Sequence, residues 1–369
     1  MKKILVFSSF PAPYRVDVFR HLARYYDMDV FFYYRKDSQR HADWYAKSGD
    51  GFTFYVLDQE PAQAKYRDCV KHLKQYDLVL VYDFTSSQAV KLQAQCVLHR
   101  IPYVINCDGA VDIRRSGWKA FVKTRLVRHA AKCLAGCERA KEYFLAYGAK
   151  EENIVLHNFT TLHEEQVLPH PLTPEQKSEI RRQYGLAEGK CVLAVGQFVV
   201  RKGFFTLIDA WAEAQPENAT LYLIGGGPEE QAIRDRIGER GVRGIELLPF
   251  MPPEQVYTYM KAADLFVLLT VEDIWGLVIV EAMSAGIPVI TTDRCTAGNE
   301  LVVPGESGYI VPIQDAPAAA AALRTALADE GWLRRAGEVA CRRVQHYTIE
   351  DVGESHHAVL EGVLQNRKK

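Results

Sequence analysis

No stretch of this sequence reaches the roughly 20 consecutive apolar residues that a membrane-crossing helix needs, which excludes a helical membrane domain. The opening K-K-I-L-V-F-S-S-F is too short for a signal peptide and reads as a first β-strand. A soluble or peripheral protein on the cytoplasmic side is expected. Neither sign of charge is in excess: Lys and Arg number 45, Asp and Glu 46, and the formal net charge is -1. Net charge therefore gives no footprint for nucleic acid, and no basic aromatic-rich sheet or recognition helix supplies one. The eight cysteines are scattered: Cys69, Cys96, Cys107, Cys133, Cys137, Cys191, Cys295 and Cys341. Cys133 and Cys137 are the nearest pair, on an expected helix, and no second pair or histidine stands at zinc spacing. Reduced structural thiols are the expected outcome. Low-complexity segments and short-period repeats are also missing.

What is present is alternation. At 369 residues the chain suits two domains, each able to bury a core. Apolar runs of strand length fall at residues 4–7, 30–34, 53–57, 78–82, 103–107, 132–135 and 154–156. Helical stretches at about 16–26, 66–75 and 87–99 separate them, which predicts a parallel, doubly wound sheet. Prolines 169, 171 and 174 interrupt the rhythm and mark a linker, after which a helix enters a new unit. Strands then resume at 191–195, 220–224, 245–248, 265–269, 288–291 and 308–311. The last stretch, H-Y-T-I-E-D-V-G-E-S-H-H-A-V-L-E-G-V-L, is helical with no strand after it. The expected fold class is α/β: a first domain over 1–165, a linker over 166–188, a second domain over 189–348, and a C-terminal helix over 349–369.

Residues 264–292 read as strand, loop, helix and strand. Glu281 lies inside L-V-I-V-E-A-M, where its near neighbours are apolar and a carboxylate needs a partner. Asp273 stands at the helix entrance, where outward backbone N–H groups favour anions. Both acids would then face the crevice beyond the strand ends, where open α/β sheets bind ligands. The structural alternative has Asp273 capping the helix and Glu281 paired with a buried arginine. In V-G-Q-F-V-V-R-K-G-F-F, a strand end is followed by Arg201, Lys202 and Gly203, and a helix begins near Phe205. Two cations at a helix N-terminus suit a diphosphate; a solvated turn is the alternative. L-I-G-G-G-P-E-E carries Gly225 and Gly227 in a turn that lets backbone approach a nucleotide, without the remaining spacing of a dinucleotide fingerprint.

The stretch E-D-I-W-G-L-V-I-V-E-A-M-S-A-G-I-P-V-I resembles the signature of family 4 glycosyltransferases, retaining enzymes of the GT-B fold. The resemblance covers nearly the whole chain and is strongest over 191–311. It implies two Rossmann-like domains facing across a cleft, with the C-terminal helix crossing back to the first. It further implies transfer of a sugar from a nucleotide sugar, a UDP sugar above all, to a lipid-linked or glycan acceptor. In this family the paired acids contact the donor. Here the first is Asp273 rather than Glu, and Glu272 stands directly before it, so either carboxylate satisfies the pattern. Trp275, Gly276 and Leu277 share that donor stretch, and Glu281 is implied for the ribose. The Lys202-Gly203 turn matches the family's pyrophosphate-neutralising turn, with Gln197 where an Arg is usual and Arg201 close by to replace its charge. L-L-P-F-M-P-P-E-Q-V resembles the base-holding loop: backbone of Phe250 or Met251 for the base, Glu254 capping the next helix. A-G-N-E-L-V-V-P-G-E-S-G matches the family at Glu300. Asp108 and Gly109 lie where the fold places the acceptor-facing group, a D-G turn being the alternative. The opening P-A-P-Y-R-V-D-V-F-R-H-L and the D-G-A-V stretch resemble a bacterial subgroup that builds capsular and other surface polysaccharides; Arg15 would replace the Gly-Gly loop missing there. The implied catalytic set is Asp108, Lys202, Asp273 and Glu281. No metal or other cofactor is implied. Two rival readings share the fold: a sugar-nucleotide epimerase, and a non-catalytic partner that holds another transferase.

Residues 114–132 hold Arg114, Arg115, Lys119, Lys123, Arg125, Arg128 and Lys132 without one acid, interleaved with Trp118, Phe121, Val122, Leu126 and Val127. Helical spacing puts Trp118, Phe121, Val122, Arg125 and Leu126 near one another, so the aromatics are either core contacts or an apolar stripe with a basic rim. The second arrangement suits anionic lipid head groups or a lipid pyrophosphate, and with it a place at the inner face of the plasma membrane.

Overall fold

The runs at residues 4–7, 78–81 and 265–268, with no internal glycine or proline, become fully buried parallel strands, as the near-continuous apolar pattern requires. The computed structural model describes all residues except 35–48, 50, 83, 111–115 and 367–369. Arg114 and Arg115 thus lie outside the described residues. The chain divides into two units, Met1–Thr161 with Tyr347–Lys369, and Leu162–His346.

The first unit contains β1 (Lys2–Ser8), α1 (Pro13–Leu22), β2 (Tyr26–Phe32), β3 (Phe54–Val56), α2 (Glu60–Lys71), β4 (Leu78–Val81) and α3 (Ser87–His99). It continues with β5 (Tyr103–Cys107), α4 (Trp118–His129), β6 (Lys132–Ala135), α5 (Glu138–Ala146) and β7 (Ile154–Leu156). Among the described residues its seven strands pair in the order β3-β2-β1-β4-β5-β6-β7, parallel throughout. The order reverses between β1 and β4, the position where such sheets bind ligands.

The second unit contains α6 (Pro174–Tyr184), β8 (Lys190–Gln197), α7 (Phe204–Ala214), β9 (Ala219–Gly226), α8 (Glu230–Arg240), β10 (Ile245–Leu248), α9 (Pro253–Ala262) and β11 (Leu265–Leu268). It continues with α10 (Leu277–Ser284), β12 (Val289–Thr292), α11 (Thr296–Leu301), β13 (Gly308–Val311), α12 (Ala316–Ala328) and α13 (Glu330–Arg343). Its six strands run β10-β9-β8-β11-β12-β13, again parallel, and reverse order between β8 and β11.

The final helix, α14 (Ile349–Asn366), returns to the first unit and packs on α1. Gly353 makes the approach possible, since a Cβ there would stand 2.5 Å from the His21 ring. Around that contact His21 Nε2 and the Tyr25 hydroxyl each lie 2.9 Å from Glu354 Oε1, and His357 stacks on Tyr25 at 3.8 Å.

Several local expectations need correction. The first helix runs from Pro13, whose fixed φ suits a first helical position, and stops before Tyr26. Tyr26 opens β2 because it pairs opposite Lys2 and buries its ring. The second helix begins at Glu60, and only a 3₁₀ turn, Leu73–Gln75, covers the end of the expected span. Cys133 and Cys137 do not share a helix: Cys133 is in β6 and Cys137 caps α5 through Ala140 N. The helix expected after the linker prolines is present as α6, started at Pro174 by a reciprocal cap of Thr173 and Gln176.

Candidate active site

In the second unit the loops after β8 and β11 meet where the strand order reverses. After β8 the chain makes a 3₁₀ turn, Val200–Lys202, and enters α7 through Gly203. Gly203 has φ +73°, and a Cβ would lie 1.8 Å from the Leu269 carbonyl, so only glycine lets the turn rest against the end of β11. The Arg201 carbonyl accepts from Thr270 Oγ1 and from Val271 N, both at 2.8 Å, which stitches the two loops together. With the backbone fixed, the Lys202 stem runs past Gly196 and its ammonium reaches Asp273 Oδ2 at 2.5 Å.

Asp273 is itself anchored. Its N–H donates to Arg294 O at 3.1 Å, and it forms a parallel bridge with Cys295. It is not a cap: α10 starts from Gly276 with no side-chain cap, which removes the structural alternative for this residue. Of the two neighbouring acids, Asp273 meets Lys202 whereas Glu272 is exposed. Trp275 is buried, and its carbonyl accepts from Ala297 N at 2.8 Å, fixing the entry to α10. Leu277 opens α10, and Glu281 lies partly buried one turn further on, within electrostatic reach of the Tyr257 phenol. Arg201 is exposed and has no ion-pair partner among the described residues.

Beside this pair, Gln197 and Gly196 close β8 opposite Gly226 and Gly225 of β9, and Gly227 turns the chain toward α8. Phe250 is exposed with its Cβ near Gly226, while Met251 is buried. Glu254 does not cap α9: the cap position is Pro252, and Glu254 stands in the first turn. Glu300 lies on α11, its carbonyl accepting from Arg343 at 2.7 Å.

The first unit builds a second polar cluster at its own order reversal. Arg15, on α1, is 6% exposed and forms an ion pair with Asp108 just after β5. Its guanidinium lies 4.6 Å over the Tyr82 ring at the end of β4 and 3.4 Å from Ser8 Oγ. Asp108 also accepts from Asn106 Nδ2 at 2.6 Å. Asn106 Oδ1 faces His157 Nε2 at 2.9 Å, and His157 meets the ring of His356 from α14 edge-on at 4.7 Å. Gly109 O accepts from Cys107 Sγ at 3.2 Å. Asn106, Tyr82, His157 and His356 were not singled out in the sequence. Only Asn106 had a local signal, since residues two apart on a strand share a face.

Burial and the Arg15 charge push His157 down to about 3, and burial, with His157 next, pushes His356 well below its usual value. The unfolded chain binds these protons below about pH 6.5 and the folded chain does not. Stability is thus complete above 6.5 and falls by up to about 1.4 kcal/mol per pH unit and histidine as the medium acidifies. Denaturant midpoints are expected to drop between pH 7.5 and 5, and less so in His356→Phe. A flat midpoint in the wild type would contradict the burial of neutral imidazoles.

On α4 the predicted stripe is split. Trp118 (73%) and Phe121 (68%) are exposed, with Lys119, Arg125 and Arg128, whereas Leu126 and Val127 are buried. The aromatics are therefore not core contacts. Lys123 turns away from that rim, donating to the Tyr143 hydroxyl at 2.6 Å and lying 4.8 Å over Tyr147.

The Lys202–Asp273 pair falls within a stretch of known type, because residues 176–343 match the family model described as glycosyl transferases group 1. This stretch is a glycosyltransferase group 1 domain. Alpha-D-kanosaminyltransferase of Streptomyces kanamyceticus is 30% identical over 171 residues, 46% of this chain and 44% of that one. The lipopolysaccharide core biosynthesis glycosyltransferase LpsE of Rhizobium meliloti (strain 1021) is 31% identical over 181 residues, covering 48% and 50%. The chain spans about half the length of the curated relatives it matches. Anabaena Alr3699/HepE in complex with UDP matches with a TM-score of 0.79 over 98% of this chain and 100% of that one, at 20% identity. The likeness establishes the GT-B fold for the glycosyltransferase domain and the unit that precedes it.

Proposed function

We propose that the protein is a retaining glycosyltransferase that moves a hexosyl group from a UDP sugar to a lipid-linked or glycan acceptor in bacterial surface polysaccharide synthesis. The observation that carries this reading is the Lys202–Asp273 pair, held at the order reversal of the sheet inside the glycosyltransferase domain. Support for the donor comes from the UDP complex of the Anabaena structure, and for the pathway from the lipopolysaccharide relative.

In the reaction the bond between the sugar C1 and the diphosphate oxygen breaks, a bond from C1 to the acceptor oxygen forms, the acceptor's proton leaves with the diphosphate, and negative charge grows on that departing group. Lys202 and Arg201 stabilise that charge, and no metal enters the step. Asp273 keeps the Lys202 ammonium in place and accepts from sugar hydroxyls. Glu281 takes the ribose, the backbone at Phe250 and Met251 the base, and the glycine turn at Gly225 and Gly227 the phosphates. Asp108 accepts a hydrogen bond from the acceptor hydroxyl; its two existing partners hold the carboxylate still.

Saturation-transfer NMR against UDP, GDP, ADP and CMP sugars tests the donor. Binding of a UDP sugar that disappears in Glu281→Ala is expected. A GDP or ADP sugar in its place would overturn the donor, and silence across the panel would leave a non-catalytic partner as the reading.

The chain is also assigned to the cytoplasmic face of the plasma membrane, with α4 on anionic lipid. Exposed Trp118 and Phe121 offer apolar anchors, and Lys119, Arg125 and Arg128 complement the negative head groups. No helix among the described residues is long and apolar enough to cross a membrane. Vesicles containing phosphatidylserine are expected to sediment the protein at low salt, and to release it in Trp118→Ser/Phe121→Ser. Equal binding to neutral vesicles, or none to either, would remove this assignment.

A further inference from the structure

The buried polar chain in the first unit has a direction that its hydrogen-bonding chemistry fixes. An Asp108 carboxylate only accepts, so the Asn106 group facing it at 2.6 Å is the amide NH2. Asn106 Oδ1 therefore faces His157, and the nitrogen opposite it, Nε2 at 2.9 Å, has to be the donor. His157 is then a neutral imidazole with its proton on Nε2. Its Nδ1 has no hydrogen-bond partner among the described residues. His356, whose Nδ1 lies 2.7 Å from the Val352 carbonyl, sets its edge against this ring and fixes the ring plane. Asn106 is fully buried, and because an amide oxygen and nitrogen are nearly alike in size, its orientation is set by hydrogen-bond partners.

From this geometry we infer that His157 is a positioning residue for Asp108, acting through Asn106. The inference rests on the acceptor-side role proposed for Asp108. Without the Nε2 donor, Asn106 Oδ1 is left buried and unpaired, and Asp108 alone holds the amide. An amide anchored at one end only is free to shift, and the carboxylate bonded to it swings about its other partner, Arg15. A small displacement of a group that orients a reactant costs turnover while leaving donor affinity alone.

Three measurements judge the assignment. Long-range 1H–15N correlation on the wild type should show His157 neutral at pH 7 with the proton on Nε2; the Nδ1–H tautomer would overturn the inference. The carboxyl 13C signal of Asp108 should shift in His157→Leu and return in His157→Gln, whose amide reaches the place of Nε2; an unmoved signal would overturn it. In transfer assays His157→Leu should lower kcat about 10- to 100-fold at unchanged donor KM, with His157→Gln recovering most of the loss. Loss of donor binding in place of kcat, or no loss, would overturn it. If the wild type transfers no sugar, the transferase reading falls, while the tautomer and the Asp108 signal still decide the role of His157.

Discussion

Replacing Lys202 by alanine is expected to cut sugar transfer about 100- to 1000-fold, the loss typical when one preorganised group facing developing charge is removed. The effect should fall on kcat more than on donor KM, since charge on the diphosphate grows as the bond to the sugar breaks. The same substitution leaves Asp273, itself largely shielded from water, without its cation. That costs the second unit about 1–3 kcal/mol, less than the ~5–15 kcal/mol that holds a domain together. Melting curves therefore separate the two effects: the variant stays folded while turnover collapses. Lys202→Arg keeps a cation on a different stem and should retain part of the activity. A Lys202→Ala enzyme that turns over normally would falsify the role.

Asp108→Ala acts on folding first. It leaves the Arg15 guanidinium buried against Tyr82 with no counter-charge, and removing one partner of a buried pair costs about 3–5 kcal/mol. A loss of that size takes much of a domain's stability, so a depressed melting temperature and poor yield are expected along with absent transfer. The double variant Arg15→Met/Asp108→Leu removes both charges and should regain most of the melting temperature. It should not regain transfer. Wild-type activity in the double variant would show that Asp108 serves structure alone.

Much of the fold was legible because each strand carries its own signal. Residues 132–135, 154–156, 245–248 and 308–311 are strands as read, each a short, mostly apolar run between helices. The ends of the first two helices were misread for a tertiary reason: Tyr26 is drawn into β2 by its neighbour strand, which no local pattern announces. The stretch proposed to hold the donor was read for a different reason, since Lys202, Gly203, Asp273 and Glu281 sit within motifs. That Lys202 and Asp273 touch was not legible, because it depends on β8 and β11 being neighbours. The cluster around Asp108 was the least visible part. Its members come from α1, β4, β5, the end of β7 and α14, and only closing the sheet and adding the last helix brings them together.

That last helix also sets an order of completion during synthesis. The strands of the first unit leave the ribosome early, but α14 follows the whole second unit in the chain. Translation proceeds at about 5–20 residues per second, so the side of α1 that α14 covers stays open for seconds, with His21, Tyr25 and Tyr26 lacking their partners. Chaperone traffic on the nascent chain should concentrate there, and a stop codon placed before α14 should yield a soluble second unit joined to an unstable first one. The half of the protein that is made first is the half that is finished last.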